Sequence, residues 1–261
     1  MSAPVLVSAD GAVGILELAR PDKFNCLSMA TWRLIGESLA SFEEPGSGVR
    51  VVLIRAQGKH FCTGADLDEV QGLRADRAGL DSFLHSGHDV LRAMEASPLP
   101  IVAACQGLCL AGGLELMLGC DTVFAARGAR FGDQHAQFGL IPGWGGSQRL
   151  TRLVGLRRAM DLFCSARWLE ADTALAWGLV NEVVDTEALH EHALAWCRTA
   201  ATRSASGLAA MKRLAREGLD QPLAQGLALE IALAVDALQD TDVSEGLAAF
   251  QARRTPAFKA R

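Results

Sequence analysis

Apolar positions in the first half of the chain come in short bursts, whereas in the second half they recur with the period of a helix. Alternation and β-branched content predict strands near Val5–Ser8 and Val13–Leu18 and again over Val49–Ala56, each closed by Gly, Pro or Asp. Between the second and third, Leu34, Ile35, Leu39 and Phe42 line one face of a helix running from Met29 to about Phe42. The opening is thus strand, strand, helix, strand. A glycine-bearing loop, Gln57 to Asp66, leads to a helix around Ser82–Ala96 and then to Ile101–Cys105, an all-apolar run that suits a strand covered on both faces. Strand, loop and helix in repetition predict a mostly parallel α/β sheet.

From about Trp144 strand signals become scarce. Helical periodicity takes over through Leu150–Cys164, Ala171–Trp177 and Glu187–Ala200, with one short strand expected at Glu182–Val184. Residues 201–261 read as helical throughout, and there Leu223, Leu227, Ile231, Val235 and Leu238 form one apolar stripe. Such a stripe either docks on the chain's own core or is buried against partner subunits. The change of pattern divides the chain into a core, 1–200, and a helical C-terminal region, 201–261.

The run Ile101 to Gly119 is apolar enough to be mistaken for a membrane span, yet it holds Gln106, Glu115 and four glycines and follows Pro98 and Pro100. A buried strand, a turn and a buried helix fit it better, so no membrane partner is expected. Nucleic acid is excluded as a main partner. Lys plus Arg number 25 against 30 Asp plus Glu, a formal charge of −5 with no long run of one sign, so the basic face that phosphate binding needs is missing. Tyrosine is absent, which removes every mechanism built on a Tyr general acid, and the lack of a G-x-S-x-G elbow disfavours an α/β-hydrolase. Cys26, Cys62, Cys105, Cys109, Cys120, Cys164 and Cys197 are odd in number, include no C-x-x-C pair and sit mostly in apolar stretches. They read as reduced, buried hydrophobes of a reducing compartment. The opening residues, MSAPVLVSADGAVGILEL, carry no basic segment ahead of an apolar one, so no secretion signal is expected and the cytoplasm is the expected location.

Three segments place glycines where a backbone must come close to something. The first, Phe61-Cys62-Thr63-Gly64-Ala65-Asp66, follows the third strand, and the second, running from Gly107 through Gly112-Gly113 to Glu115, follows the fourth. In parallel sheets ligands bind at such strand ends. Two neighbouring loops of this kind can aim backbone N–H groups at one point, as an oxyanion hole requires, although a glycine pair also serves tight turns and close packing. Glu115 falls in the first turn of the helix that Gly112-Gly113 would begin. It is a carboxylate in an apolar segment, either functional or a first-turn cap. The third segment, Phe131 to Gly146, sets Asp133, Gln134 and His135 before a Pro/Gly turn.

The runs FCTGADL, QGLCLAGGLELMLGCD and FGDQHAQFGLIPGWGGSQRLTRLVG, in this order and at these separations, resemble the crotonase family of enoyl-CoA hydratases and isomerases. The similarity extends from RPDKFNCLS at Arg20–Ser28 to RRTPAFKAR at the end. It implies a core of stacked ββα units forming a spiral, with a helical C-terminal region that assembles trimers, often paired into hexamers. It implies an acyl-CoA thioester substrate with no cofactor beyond the coenzyme A that the substrate carries, and no metal. Carried over by position, the N–H groups of Ala65 and Gly112 hold the thioester oxygen, and Glu115 activates water for addition at C3. Lys23, Ala65, Asp66 and Leu67 lie where the family places the CoA adenine and phosphates, Gly113 and Trp144 line the site, and Phe258 and Lys259 approach CoA from a neighbouring subunit.

One departure stands out. Hydratases of this family carry a second catalytic glutamate twenty positions after the first, and 115 + 20 leads to His135. An imidazole, with an unperturbed pKa of about 6.5, can transfer protons in either direction. The leading expectation is therefore hydration of a 2-enoyl-CoA, with CoA-thioester hydrolysis or double-bond migration through His135 as the alternative. A register shifted by two would put Asp133 in that place instead. His85 and His88, three apart, have a metal-ligand spacing without further ligands nearby in sequence, His88 also being a candidate for the acyl pocket wall. His60 reads as a surface residue. Trp144, where the family often has a small residue, reads as a pocket wall. A serine peptidase of the related Clp fold would need a serine in these loops, and neither oxyanion segment has one.

Overall fold

The computed structural model describes residues 3–258. Its first two strands, Val5–Asp10 (β1) and Val13–Leu18 (β2), form an antiparallel hairpin. Helix α1 (Met29–Glu43) starts at Ser28, whose side chain accepts from the Thr31 N–H while the Thr31 hydroxyl accepts from the Ser28 N–H, so two donors that a helix start leaves orphaned are satisfied. It buries Trp32, Ile35, Leu39 and Phe42, close to the predicted face. β3 (Val51–Ala56) lies parallel to β2, and helices α2 (Leu67–Leu73) and α3 (Arg77–Ala96) return the chain to β4 (Ile101–Cys105), parallel to β3.

There follow β5 (Leu108–Leu110), α4 (Gly112–Leu118), β6 (Thr122–Ala126), β7 (Arg130–Gly132), α5 (Gly146–Val154), α6 (Leu156–Ser165), β8 (Leu169–Glu170), α7 (Ala171–Ala176), β9 (Glu182–Val184) and α8 (Leu189–Ala201). The large sheet has the order β1-β2-β3-β4-β6-β9 and is parallel from β2 onward. β3 and β4 are almost wholly apolar because both of their faces are covered. α8 covers one of them, with Leu189, Ala193 and Cys197 buried. β5, β7 and β8 make a second, smaller sheet, which the isolated pairings of Leu27 with Ala65 and of Cys62 with Cys109 extend. The chain leaves the large sheet after β3, β4 and β6, and each time it passes through the small one, at Cys62, at β5 and at β7. Hydrogen bonds from Cys62 N to Leu108 O (3.1 Å) and from Leu110 N to Cys62 O (3.0 Å) thereby draw the two glycine loops side by side.

Several elements depart from the predicted pattern. β5, β7 and β8 are two or three residues long, too short for any period to register. β6, TVFAA, is a five-residue apolar run that periodicity cannot tell from a buried helix. The continuous helix expected over Leu150–Cys164 is two helices, because Gly155 adopts φ 85° and ψ 154° between α5 and α6. Five cysteines are buried, but Cys26 is half-buried and Cys164 exposed, so the reading of all seven as core residues is corrected there.

The C-terminal region is α9 (Ala205–Leu219), α10 (Leu223–Leu238) and α11 (Thr241–Gln251). An ionic cluster ties α9 to the core. Lys212 Nζ pairs with Asp121 at 2.7 Å and donates to the carbonyls of Met94 and Leu99, while Arg216 pairs with Asp121 at 2.7 Å and with Glu95 at 3.5 Å. Glu95 also holds Arg149 of α5, at 2.6 Å. α10 packs on α9 and leaves its apolar stripe uncovered, with Leu223 77% and Ile231 66% exposed. The stripe does not dock on the chain's own core. Among the described residues no helix is long and apolar enough to cross a membrane.

Candidate functional site

The two glycine loops meet at backbone distance. A Cβ on Gly113 would collide with the carbonyl of Cys62, and one on Gly112 would stand 3.2 Å from the Ala65 nitrogen. The loop contact requires glycine at Gly113, and at Gly112 a side chain would press on the Ala65 backbone. Ala111, just before α4, has φ 48° and ψ −120°, a conformation costly for a residue with a side chain. It is held there by its N–H on Gly132 O and by its carbonyl, which accepts from Glu115 N. Among the described residues neither Ala65 N–H nor Gly112 N–H donates to a protein acceptor. Two neighbouring amide donors are thus left for a ligand oxygen, the arrangement that stabilises a developing oxyanion.

Glu115, 2% exposed, is anchored rather than free: its Oε1 accepts from the N–H groups of Trp144 and Gly146, each at 2.7 Å. Its Oε2 faces His135 Nε2 at 3.8 Å. His135 opens a short 3₁₀ turn after β7, and its Nδ1 lies 2.9 Å from Asp133 Oδ1, so the ring donates there and turns Nε2 toward Glu115. Burial pushes the Glu115 carboxyl above its ordinary range, and the N–H donors and His135 only partly oppose this. Burial works against a charged His135 as well, but the hydrogen bond and charge of Asp133, with Glu115 beyond, outweigh it and hold the imidazole above its ordinary value. A buried acid–base pair backed by a second carboxylate can take a proton with one member and deliver one with the other.

The remaining sequence candidates divide. Asp66 caps α2 through a hydrogen bond from Asp68 N and pairs with Arg20 at 2.9 Å, Leu67 begins α2 half exposed, and Lys23 pairs with Asp68 at 2.7 Å on the surface beside them. Burial opposes the Asp66 charge, yet Arg20 holds its carboxyl below the usual value. Trp144 is buried against Trp32 and Phe83. Phe258 is half-buried beside Gly246 of α11, and Lys259 lies outside the described residues. His60 is not a plain surface residue: its Nδ1 accepts from Leu108 N at 3.1 Å and its ring stacks on Phe24. His85 bonds back to Asp81 on its own helix, and among the described residues no group of three or more His, Cys, Asp or Glu is placed to hold a metal.

Asp133 does not take the place of His135 but stands behind it, and the D-x-H spacing, which lets the aspartate accept from both His135 N (3.3 Å) and Nδ1, is a signal that the sequence reading did not use. Arg149 has no comparable signal. It donates to Trp144 O at 2.8 Å while gripping Glu95 with two nitrogens, and so fixes the loop whose N–H groups hold Glu115. A family model described as enoyl-CoA hydratase/isomerase matches residues 8–261. The chain belongs to the enoyl-CoA hydratase/isomerase family. Relatives within it include a probable enoyl-CoA hydratase of Rhizobium meliloti, 37% identical over 98% of both chains, and a short-chain-enoyl-CoA hydratase of Clostridium acetobutylicum, 30% identical over 98% of both. The solved structure of an enoyl-CoA hydratase from Bacillus anthracis superposes with a TM-score of 0.94 at 32% identity, covering 99% of this chain and 100% of that one. The crotonase-type α/β core with a helical C-terminal region is therefore the fold of this family member.

Proposed function

We propose that this enzyme adds water across the double bond of a 2-enoyl-CoA, giving a 3-hydroxyacyl-CoA, with His135 in the part that a second carboxylate plays elsewhere in the family. The observation that carries the reading is the facing pair, Glu115 Oε2 and His135 Nε2 at 3.8 Å, beside two amide donors without acceptors. That gap suits a water hydrogen-bonded to both at about 2.8 Å. The Glu115 carboxylate takes a proton from this water as its oxygen bonds to C3. The π electrons move to the thioester oxygen, where the N–H groups of Ala65 and Gly112 hold the enolate. His135, as imidazolium, gives its Nε2 proton to C2 as the enolate collapses, and the proton on Glu115 passes back to His135, restoring both. Asp133 keeps the ring turned and favours its charged form.

The CoA moiety lies along Ala65, Asp66 and Leu67 with Lys23 beside them, and Gly113 and Trp144 bound the acyl side. Residues 1–200 carry the site, and residues 201–261 assemble the enzyme as a trimer or a dimer of trimers through the exposed stripe of α10, which brings Phe258 and Lys259 to a neighbour's CoA. The reaction needs no cofactor besides the CoA of its substrate and runs in the cytoplasm. A crotonyl-CoA assay tests the chemistry: the conjugated enoyl thioester disappears while no free thiol is released. Release of CoA in step with turnover would replace hydration by thioester hydrolysis, which an imidazole backed by Asp133 can also promote.

A further inference from the structure

Trp144 is the one large side chain in Pro142-Gly143-Trp144-Gly145-Gly146. Its main chain is fixed from both ends, by the N–H on Glu115 and the carbonyl on Arg149. The indole goes against the site. A Cβ on Gly112 would lie 2.6 Å from Cζ3 of the indole, so the six-membered ring rests on the residue whose N–H faces the ligand oxygen. The opposite edge rests on Gly87 of α3, where a Cβ would stand 2.5 Å from Nε1. Trp32 of α1 meets the ring edge-on at 5.0 Å and Phe83 of α3 lies at 5.2 Å. The indole thus fills the space between α1, α3 and α4 immediately past Glu115. Its N–H is buried without a protein acceptor, as is that of Trp32 beside it.

Resting on the reaction proposed above, we propose that the indole of Trp144 closes the acyl end of the site and restricts this enzyme to short acyl chains. Beyond C3 and C4 a linear chain meets the ring, while each further methylene that could be buried would strengthen binding by about fourfold. Chain-length preference is therefore set by one side chain standing on the oxyanion glycine.

The test uses the full-length enzyme and the variants Trp144→Ala and Trp144→Leu. Calorimetric binding of butyryl-CoA and decanoyl-CoA is measured beside kcat/KM for crotonyl-CoA and 2-decenoyl-CoA. The native enzyme is expected to bind butyryl-CoA at least as tightly as decanoyl-CoA, and Trp144→Ala to move the ratio toward the longer chain by about tenfold or more, with Trp144→Leu between. Trp144→Leu decides alone if the alanine variant does not fold. Native preference for decanoyl-CoA, or an unchanged ratio in the folded variants, overturns the proposal. A shifted binding ratio without hydration of either substrate would remove the reaction while leaving the pocket assignment, and hydration with an unshifted ratio would do the reverse.

Discussion

Replacing Glu115 by Gln and by Ala separates what the carboxylate does for the reaction from what it does for the fold. Gln keeps an oxygen that can accept from Trp144 N and Gly146 N, both at 2.7 Å, and loses only the charge. Turnover should fall by about 10²–10⁴-fold, equivalent to about 2.7–5.4 kcal/mol of transition-state stabilisation. Stability should hold or rise. Burial places the folded-state pKa of Glu115 above its unfolded value, so ionisation destabilises the fold. That cost sets in as pH climbs from the unfolded value through the folded one and is fully present above both. A neutral amide escapes it at pH 7. Ala instead strands two buried N–H donors at about 1–3 kcal/mol each. At about 2–4 °C per kcal/mol for a chain of this size, the melting temperature should drop by roughly 5–20 °C. Thermal denaturation at fixed protein concentration and a crotonyl-CoA assay give both numbers. Glu115→Gln with more than a tenth of native turnover, or Ala as stable as Gln, would refute the reasoning.

Activity should follow a bell in pH: the acid limb belongs to Glu115, which must be ionised and titrates above the usual carboxylate range, and the alkaline limb to His135, which must be charged and titrates above its ordinary value. Asp133→Asn should bring the alkaline limb to lower pH without moving the acid limb upward, and a profile flat across pH 5.5–7.5 in both proteins would end the assignment of His135 as the acid. Arg149→Met frees the Trp144 carbonyl and should lower kcat by about tenfold or more with a smaller change in KM, because it loosens the clamp on Glu115 and not the CoA site; equal changes in both constants would count against it. Light scattering should report a trimer or larger, and Ile231→Asp should dissociate it; a stable 27.7 kDa particle in the native protein would reject assembly through α10.

The sequence is most legible where one element decides its own fate. Ile101–Cys105 is a strand at the predicted residues because its apolar run needs cover on both faces, and α1 runs within a residue of its predicted end because the face shared by Ile35, Leu39 and Phe42 is a local signal. Glu115 and His135 were also visible, one as a carboxylate in an apolar segment and the other through the family's spacing. What joins them was not. The donors that hold Glu115 lie 29 and 31 residues away in sequence, and Trp144 meets Trp32 across more than a hundred. No window of periodicity spans such distances. The small sheet escaped for a related reason: strands of two or three residues are stabilised by the neighbours they meet and not by a pattern of their own.

The ionic cluster beneath α9 bears on how this protein can change over generations. Arg149, Lys212 and Arg216 share Glu95 and Asp121, and the Lys212 side chain is only 7% exposed. Losing one partner of such a buried pair costs about 3–5 kcal/mol, a large part of the 5–15 kcal/mol that keeps a typical domain folded. The five positions therefore resist drift one at a time, and a lineage that alters the set must do so by paired replacements or after gaining stability elsewhere. Because Arg149 also grips the loop under Glu115, mutational history at the C-terminal helices and at this buried carboxylate is written on the same few side chains.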